Sequence, residues 1–236
     1  MSKSEPRRDV SGNAVFIAGA GTEIGKTYVT AALTRRLRGD GHDVRTLKPV
    51  ASGVPPIGDP DFRTSDTAIL LEAQGLVVTP ENVAACSPWR FSAPLAPDLA
   101  AAREGRTLAL ADLVAWCRAE MGATPPGSTL LVEGVGGLMS PVTADHTGLD
   151  WLKALSVPAL LVTGSYLGAI SHALTAAETL RLHDVPLLGL AVCESPDAPT
   201  PIETVAAAIR RHVAVPVHEI VRGGACPAGL ARLVGA

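Results

Sequence analysis

Short, almost unbroken apolar runs alternate along this chain with longer stretches in which apolar positions recur every three or four residues. Residues 13–18 read as a buried strand, followed by a glycine-rich turn and a helix over about 26–38 that Gly39 and Gly41 end. Residues 44–49 form a second strand. Further apolar runs of strand length lie at 128–132, 159–163 and 186–193, and 213–219 reads as a last one. Helical periodicity covers 65–73, 97–103, 108–121, 167–182 and 201–212, while 54–62, rich in Pro, Gly and Asp, reads as a loop. Strands apolar on both faces that alternate with helices predict an α/β fold, a mostly parallel central sheet with helices on both faces in three layers. No repeat or long linker divides the chain, so 1–236 read as a single domain with 1–12 as a flexible tail. In such folds a ligand lies outside the carboxyl ends of the strands, so those ends are where chemistry is sought.

Composition narrows the picture. Apolar residues make up 47% of the 236, but aromatics only 3%, so the core must be built from Ala, Val, Leu and Ile. A formal charge of −3 lacks the basic surplus of a nucleic-acid binder, and the cluster Arg35, Arg36 and Arg38 reads as a solvated helix face. Cys86, Cys117, Cys193 and Cys226 are scattered without a CxxC pair, which argues against structural zinc and against a disulfide framework. No apolar run approaches the roughly 20 residues of a membrane helix. The first apolar stretch is too short for a signal sequence and runs into a glycine turn. The expectation is a soluble, cytoplasmic protein with neither nucleic acid nor membrane as partner.

The strongest chemical signal follows the first strand, in Gly19-Ala20-Gly21-Thr22-Glu23-Ile24-Gly25-Lys26-Thr27. A strand, a glycine turn and a helix opening with Gly-Lys-Thr are the parts of a P-loop. Backbone N–H groups cradle phosphates, the Lys reaches the β/γ oxygens and the Thr hydroxyl meets Mg²⁺. The usual spacing GxxxxGK(S/T) asks for glycine at Ala20, where glycines stand on either side instead. A turn that only caps a helix is the plainer alternative. Glu133 ends the run STLLV and precedes Gly134-Val135-Gly136-Gly137; a carboxylate there suits metal binding at the ligand edge of a sheet, and a solvated loop acid is the alternative. Lys48 opens KPVASG after the second strand, where it becomes a stabiliser of transferred charge beside a P-loop and an ordinary exposed lysine otherwise. Asp66 follows Ser65 at a helix start, a place the helix dipole alone explains. His172 has no partner at nucleophile–base spacing and receives no acid–base role.

Taken together, GAGTEIGKT, KPVASG, Ser65 with Asp66, and VEGVGG resemble the dethiobiotin synthetase family, whose P-loop has the form GTDTxVGKT and whose central strand ends in VEGAGG. The segments 89–107 and 164–177 share the likeness, which spans about 13–219. The resemblance implies a P-loop NTPase-like fold and an ATP-dependent ligase that takes 7,8-diaminopelargonate and CO₂ or bicarbonate to dethiobiotin, with Mg²⁺ as cofactor. It places Lys26 and Lys48 beside the carbamate and γ-phosphate, and Thr27, Asp66 and Glu133 at the metal. Thr22, Glu23, Ile24, Gly25, Tyr28, Gly134, Val135 and Gly136 match its nucleotide site. So do Cys193, Glu194, Val221, Arg222 and Gly223 at the base. Ser52 matches a diamine contact, and Leu167, Gly168, Ala169, Ile170 and Ser171 match a segment that binds the diamine across a homodimer interface. Four positions depart from the family pattern: Cys193 stands where an asparagine reads adenine, Val221 where a proline is usual, Ser171 where an asparagine precedes His172, and Tyr166 where lysine is frequent. Partition or septum-site ATPases share the fold, but their early P-loop lysine is missing at Ala20 and Gly21, and residues 225–236 show no sustained period. A cobyrinate-type amide ligase would need a glutaminase domain for which the chain has no room.

Overall fold

The structure, a computed structural model, describes residues 13–235. Its strands, in chain order, are β1 (Asn13–Gly19), β2 (Val44–Leu47), β3 (Val50–Ser52), β4 (Trp89–Phe91), β5 (Thr129–Glu133), β6 (Ala159–Thr163), β7 (Leu187–Cys193) and β8 (Val217–Ile220). Six of them form one sheet in the order β2-β5-β1-β6-β7-β8, and every pairing in it is parallel. The helices are α1 (Lys26–Gly39), α2 (Asp66–Ala73), α3 (Pro80–Cys86), α4 (Pro97–Arg103), α5 (Leu110–Ala123), α6 (Gly148–Leu155), α7 (Ala169–Leu182), α8 (Ile202–Arg210) and α9 (Ala228–Val234). A 3₁₀ turn, Pro60–Thr64, precedes α2.

The period of two along each strand divides the core between the sheet's two faces. Phe16, Ala18, Leu130, Val132 and Leu161 pack against α5, α6, α7 and α8. Val15, Ile17, Leu131, Leu160 and Val162 face α1 and α9. Helix α1 meets them with Val29, Leu33 and Leu37, one residue per turn on a single stripe. The rings of Phe16 and Trp151 meet edge to face at 4.9 Å, which fixes α6 beneath β1. Ile17, Leu130, Leu131 and Val132 are fully buried, each contributing about 1.5–3 kcal/mol. The mostly parallel, helix-covered sheet expected from the sequence is therefore present, as are its three layers. No helix among the described residues is long and apolar enough to cross a membrane.

Several boundaries differ from expectation. The strand expected over 44–49 stops at Leu47, because Pro49 has no N–H and the Lys48 N–H donates to Cys86 O instead. The chain then re-forms as β3, which pairs with β4 in a separate two-stranded sheet. The strand expected over 213–219 starts only at Val217, after Pro216. Helix α5 starts at Leu110 rather than 108, and Ser65 is the N-cap of α2 rather than its first residue. The stretch 225–236, which showed no period, contains α9, too short for one to register; its Leu230, Ala231 and Val234 are buried. Helix α6 went unpredicted although Thr147 and Asp150 form a capping box, a signal present in the sequence. The tail expected at 1–12 lies outside the described residues.

Candidate active site

The turn from β1 into α1 is held by glycine chemistry. Gly25 is left-handed at φ 95° and caps α1, and a Cβ added to it would stand 2.5 Å from Cys193 Sγ. A Cβ on Gly19 would lie 2.8 Å from both Lys26 Cδ and Gly136 O, so the loop after β5 closes directly onto the first turn. Glu23, at φ 57°, is a left-handed non-glycine at the loop's exposed tip, a strained conformation of the kind ligand loops retain. These constraints leave the N-terminus of α1 open to a cleft of about 730 Å³ at the carboxyl edge of the sheet.

Three strand ends bring charge to that cleft. Glu133, the last residue of β5, is fully buried, and its Oε1 accepts from Thr27 Oγ1 at 2.7 Å and from Lys48 Nζ at 2.6 Å. Its Oε2 is buried without a partner. Lys48, itself 3% exposed, also donates to Gly134 O at 3.1 Å and pairs with Asp66 Oδ2 at 3.0 Å. Lys26 curls back within the loop, donating from Nζ to Gly21 O at 2.9 Å. Burial, then the like charge of Lys48, brings the Lys26 pKa down from 10.5 to about 8, against the opposing pull of Glu133 and Asp66. For Lys48, burial acts downward, but the charges of Asp66 and Glu133 and their hydrogen bonds outweigh it and hold the ammonium well above its usual value. Burial pushes Asp66 up, yet the Lys48 charge and its hydrogen bond prevail, so the carboxyl ionises below the ordinary range.

Of the residues singled out in the sequence, Thr22, Glu23, Ile24, Gly25, Lys26, Thr27, Tyr28, Lys48, Ser52, Asp66, Val135, Gly136 and Arg222 line this one cleft. Ser52 Oγ is buried and unpartnered there. Gly134 and Glu133 lie just behind the lining, in contact with Lys48. At the far end, Tyr28 ties the loop after β8: its hydroxyl donates to Val221 O at 3.3 Å and accepts from Gly223 N at 2.7 Å. Glu194 Oε2 accepts from Arg222 N at 3.0 Å, and the Arg222 guanidinium lies 5.6 Å from the Tyr28 ring centre. Cys193 is placed beneath Gly25 at 1% exposure, not on the cleft wall, and burial pushes its thiol pKa up.

The segment Leu167, Gly168, Ala169, Ile170 and Ser171 is not part of the cleft wall. It opens α7 from a left-handed Gly168, with Leu167 87% exposed. The structure also adds residues that the sequence reading gave no role. Thr64 and Ser65 reach the cleft through the 3₁₀ turn, Pro94, Leu95, Ala96 and Pro97 through the loop after β4, and Ser140 through the loop after β5. Gly53 N donates to Ala93 O and Val54 N to Phe91 O, both at 3.0 Å, which carries the 94–97 loop to the cleft. The β3–β4 pairing is the signal that places it, and three-residue strands leave little pattern in a sequence.

Known proteins resemble this chain in sequence and in fold. Residues 13–221 match a family model described as an AAA domain. A relative from Methylobacterium nodulans, named ATP-dependent dethiobiotin synthetase BioD, is 70% identical over 214 residues, covering 91% of this chain and 95% of the relative. A protein of the same name from Acidiphilium cryptum is 45% identical over 200 residues, covering 84% and 87%. Among solved structures, a DUF1611 family protein from Anabaena variabilis aligns over 96% of this chain and 58% of its own, at 17% identity and a TM-score of 0.53, a likeness of fold alone.

Proposed function

The chain belongs to the family of ATP-dependent dethiobiotin synthetases, ligases that form carbon–nitrogen bonds, and we propose that the cleft at the end of α1 is where it closes the ureido ring. The substrates are 7,8-diaminopelargonate, CO₂ and ATP. One amine adds to CO₂ and loses a proton to give a carbamate. A carbamate oxygen then takes the γ-phosphoryl group as ADP departs. The second amine attacks the carbonyl carbon of this mixed anhydride and sheds a proton, phosphate leaves, and dethiobiotin results. Each step needs reactants held in line and negative oxygens neutralised, more than it needs covalent help from the protein.

The observation that carries this reading is the convergence of Lys26, Thr27, Lys48, Asp66 and Glu133 on one cleft from four separate segments. Backbone N–H groups from Thr22 to Thr27 would cradle the β- and γ-phosphates, and Lys26 would bind their oxygens. Lys48 meets charge on the γ-phosphoryl and the carbamate. Ser52, with its free buried hydroxyl, offers a hydrogen bond to the diamine. Tyr28 and Arg222 bound the end toward which the base extends.

Thr27, Asp66 and Glu133 would hold Mg²⁺. A hydroxyl and two carboxylates are hard oxygen donors that suit this cation, and the unpartnered Glu133 Oε2 is an acceptor that nothing in the protein satisfies. When bound, the cation neutralises charge shared between the β- and γ-oxygens. The active unit is a homodimer in which Leu167 and the start of α7 meet the partner and the diamine, as the family resemblance implies; Leu167, 87% exposed, is free to do so. Purified protein given diaminopelargonate, bicarbonate, Mg²⁺ and ATP should yield dethiobiotin, scored by mass, and its absence would reject the assignment. Full activity from a species that light scattering shows to be monomeric would reject the dimer.

A further inference from the structure

The two cleft lysines are committed very differently. Lys26 Nζ donates to one backbone carbonyl, Gly21 O. Lys48 Nζ has acceptors at 2.6 Å in Glu133 Oε1, at 3.0 Å in Asp66 Oδ2 and at 3.1 Å in Gly134 O. Those three use all the N–H donors of an ammonium, so Lys48 has none left for a substrate oxygen. Its catalytic task requires such a donor, so the position seen here is not the one from which it acts. The same two carboxylates that hold it are the ones assigned to the metal.

We propose that Lys48 is a built-in counter-ion for the metal ligands: its ammonium balances Asp66 and Glu133 in the ligand-free protein, and a divalent cation arriving at those carboxylates displaces it toward the substrate oxygens. The proposal rests on the assignment of Thr27, Asp66 and Glu133 as the metal-holding groups. Glu133 is fully buried, and a buried carboxylate without a compensating charge is strongly disfavoured. The ammonium therefore compensates that carboxylate and keeps the proposed ligands aimed. Two cations on one carboxylate pair repel each other steeply at such distances, so the monovalent one yields. The flexible four-carbon stem of lysine permits the move, and its compact charge gives no bidentate grip that would resist it. Metal entry and release of the catalytic lysine then become one event, and the cleft gains its acting charge only when it is loaded.

Mn²⁺ serves as the probe, titrated into nucleotide-free protein with the free ion followed by electron paramagnetic resonance. Lys48→Met should bind Mn²⁺ at least about tenfold more tightly than the unmodified chain, since one competing cation is gone. Lys48→Arg, which keeps a cation, should bind as weakly as the unmodified chain. Equal affinities for Lys48→Met and the unmodified chain would overturn the proposal. A second measurement needs no variant and so does not depend on folding of the Met protein. Acetylation of Lys48 by acetic anhydride, read by mass spectrometry, should rise severalfold when saturating Mn²⁺ alone is added, and an unchanged rate would overturn the proposal. The premise is tested apart from this: with a non-hydrolysable ATP analogue present, Asp66→Asn should lose Mn²⁺, and retention at full affinity would reject the metal assignment itself.

Discussion

Raising the pH from 7 to 9 titrates Lys26 in the nucleotide-free protein, because burial and the neighbouring Lys48 set its pKa at about 8. Only the ammonium form offers positive charge to the β- and γ-oxygens. With that pKa, the protonated fraction falls from about nine-tenths at pH 7 to about one-tenth at pH 9, so the nucleotide dissociation constant should rise about tenfold, or ~1.4 kcal/mol. The slope belongs to Lys26 alone among the cleft charges with resolved shifts: Lys48 is displaced upward from 10.5 and Asp66 downward from 3.8. Folding responds with the opposite sign. The unfolded lysine keeps its proton up to 10.5, so between about 8 and 10.5 the unfolded chain holds more protons, and this residue's contribution to stability rises with pH. Weaker binding is therefore not a symptom of loosening. The assay is calorimetric titration with a non-hydrolysable ATP analogue at saturating Mg²⁺, repeated in buffers of differing ionisation enthalpy. Lys26→Arg stays charged throughout and should show no slope. A flat profile for the unmodified chain, or an equal fall in Lys26→Arg, would refute the reasoning.

Lys48→Ala should lower kcat by about 10²–10³ while changing the KM for ATP little, since it removes charge that matters most as the phosphoryl group transfers; near-normal turnover in steady-state kinetics would remove Lys48 from the mechanism. Gly25→Ala should cost on the order of 1–3 kcal/mol of folding or nucleotide-binding free energy, because Gly25 sits at φ 95° with Cys193 Sγ 2.5 Å from any added Cβ. Thermal unfolding with and without nucleotide measures both, and a neutral result would mean that the turn is not held as described. GTP and CTP should be used within about tenfold of ATP in kcat/KM, because no side-chain amide among the described residues lines the end of the cleft proposed for the base. A preference above about a hundredfold in a four-nucleotide comparison would show that backbone groups read the base.

The sheet was legible because a parallel strand buried on both faces is apolar along almost its whole length, as 130–132 and 159–162 are. The phosphate end was legible for a related reason: a P-loop is a local device, and the residues from Gly19 to Thr27 carry all of it. Glu133 and Lys48 could be found because strand ends locate ligand chemistry in this class of fold. Their mutual contact could not, since it depends on β2 and β5 being neighbours, and strand order is not written in either segment. The 94–97 wall was hidden for the same reason. It reaches the cleft through the pairing of β3 with β4, thirty-odd residues apart, in strands too short to show a period.

Cys193 shows where resemblance and strand geometry part. Alignment with the family put it at the base, in the place of a reading asparagine. Alternation along β7 says otherwise: Leu190 and Val192 join the α7 and α8 side of the core, so Ala191 and Cys193 belong to the side of α1. A side chain sent that way from the last residue of β7 arrives under the turn that starts α1, where Cys193 meets Gly25. A small, soft thiol suits a site that the backbone of the phosphate loop must approach closely, and as a weak donor and weak acceptor it loses little by leaving the cleft wall. Among the described residues, Tyr28 and Arg222 bound the end of the cleft proposed for the base. The Tyr28 hydroxyl is already spent on Val221 and Gly223, and the Arg222 guanidinium lies over its ring, which leaves the outer N–H groups of Arg222. A fork of charged donors would grip a nucleotide without asking much about its base. On the proposed reading, phosphate recognition rests on the backbone geometry of the loop before α1, and base recognition on adaptable side chains at the other end of the cleft.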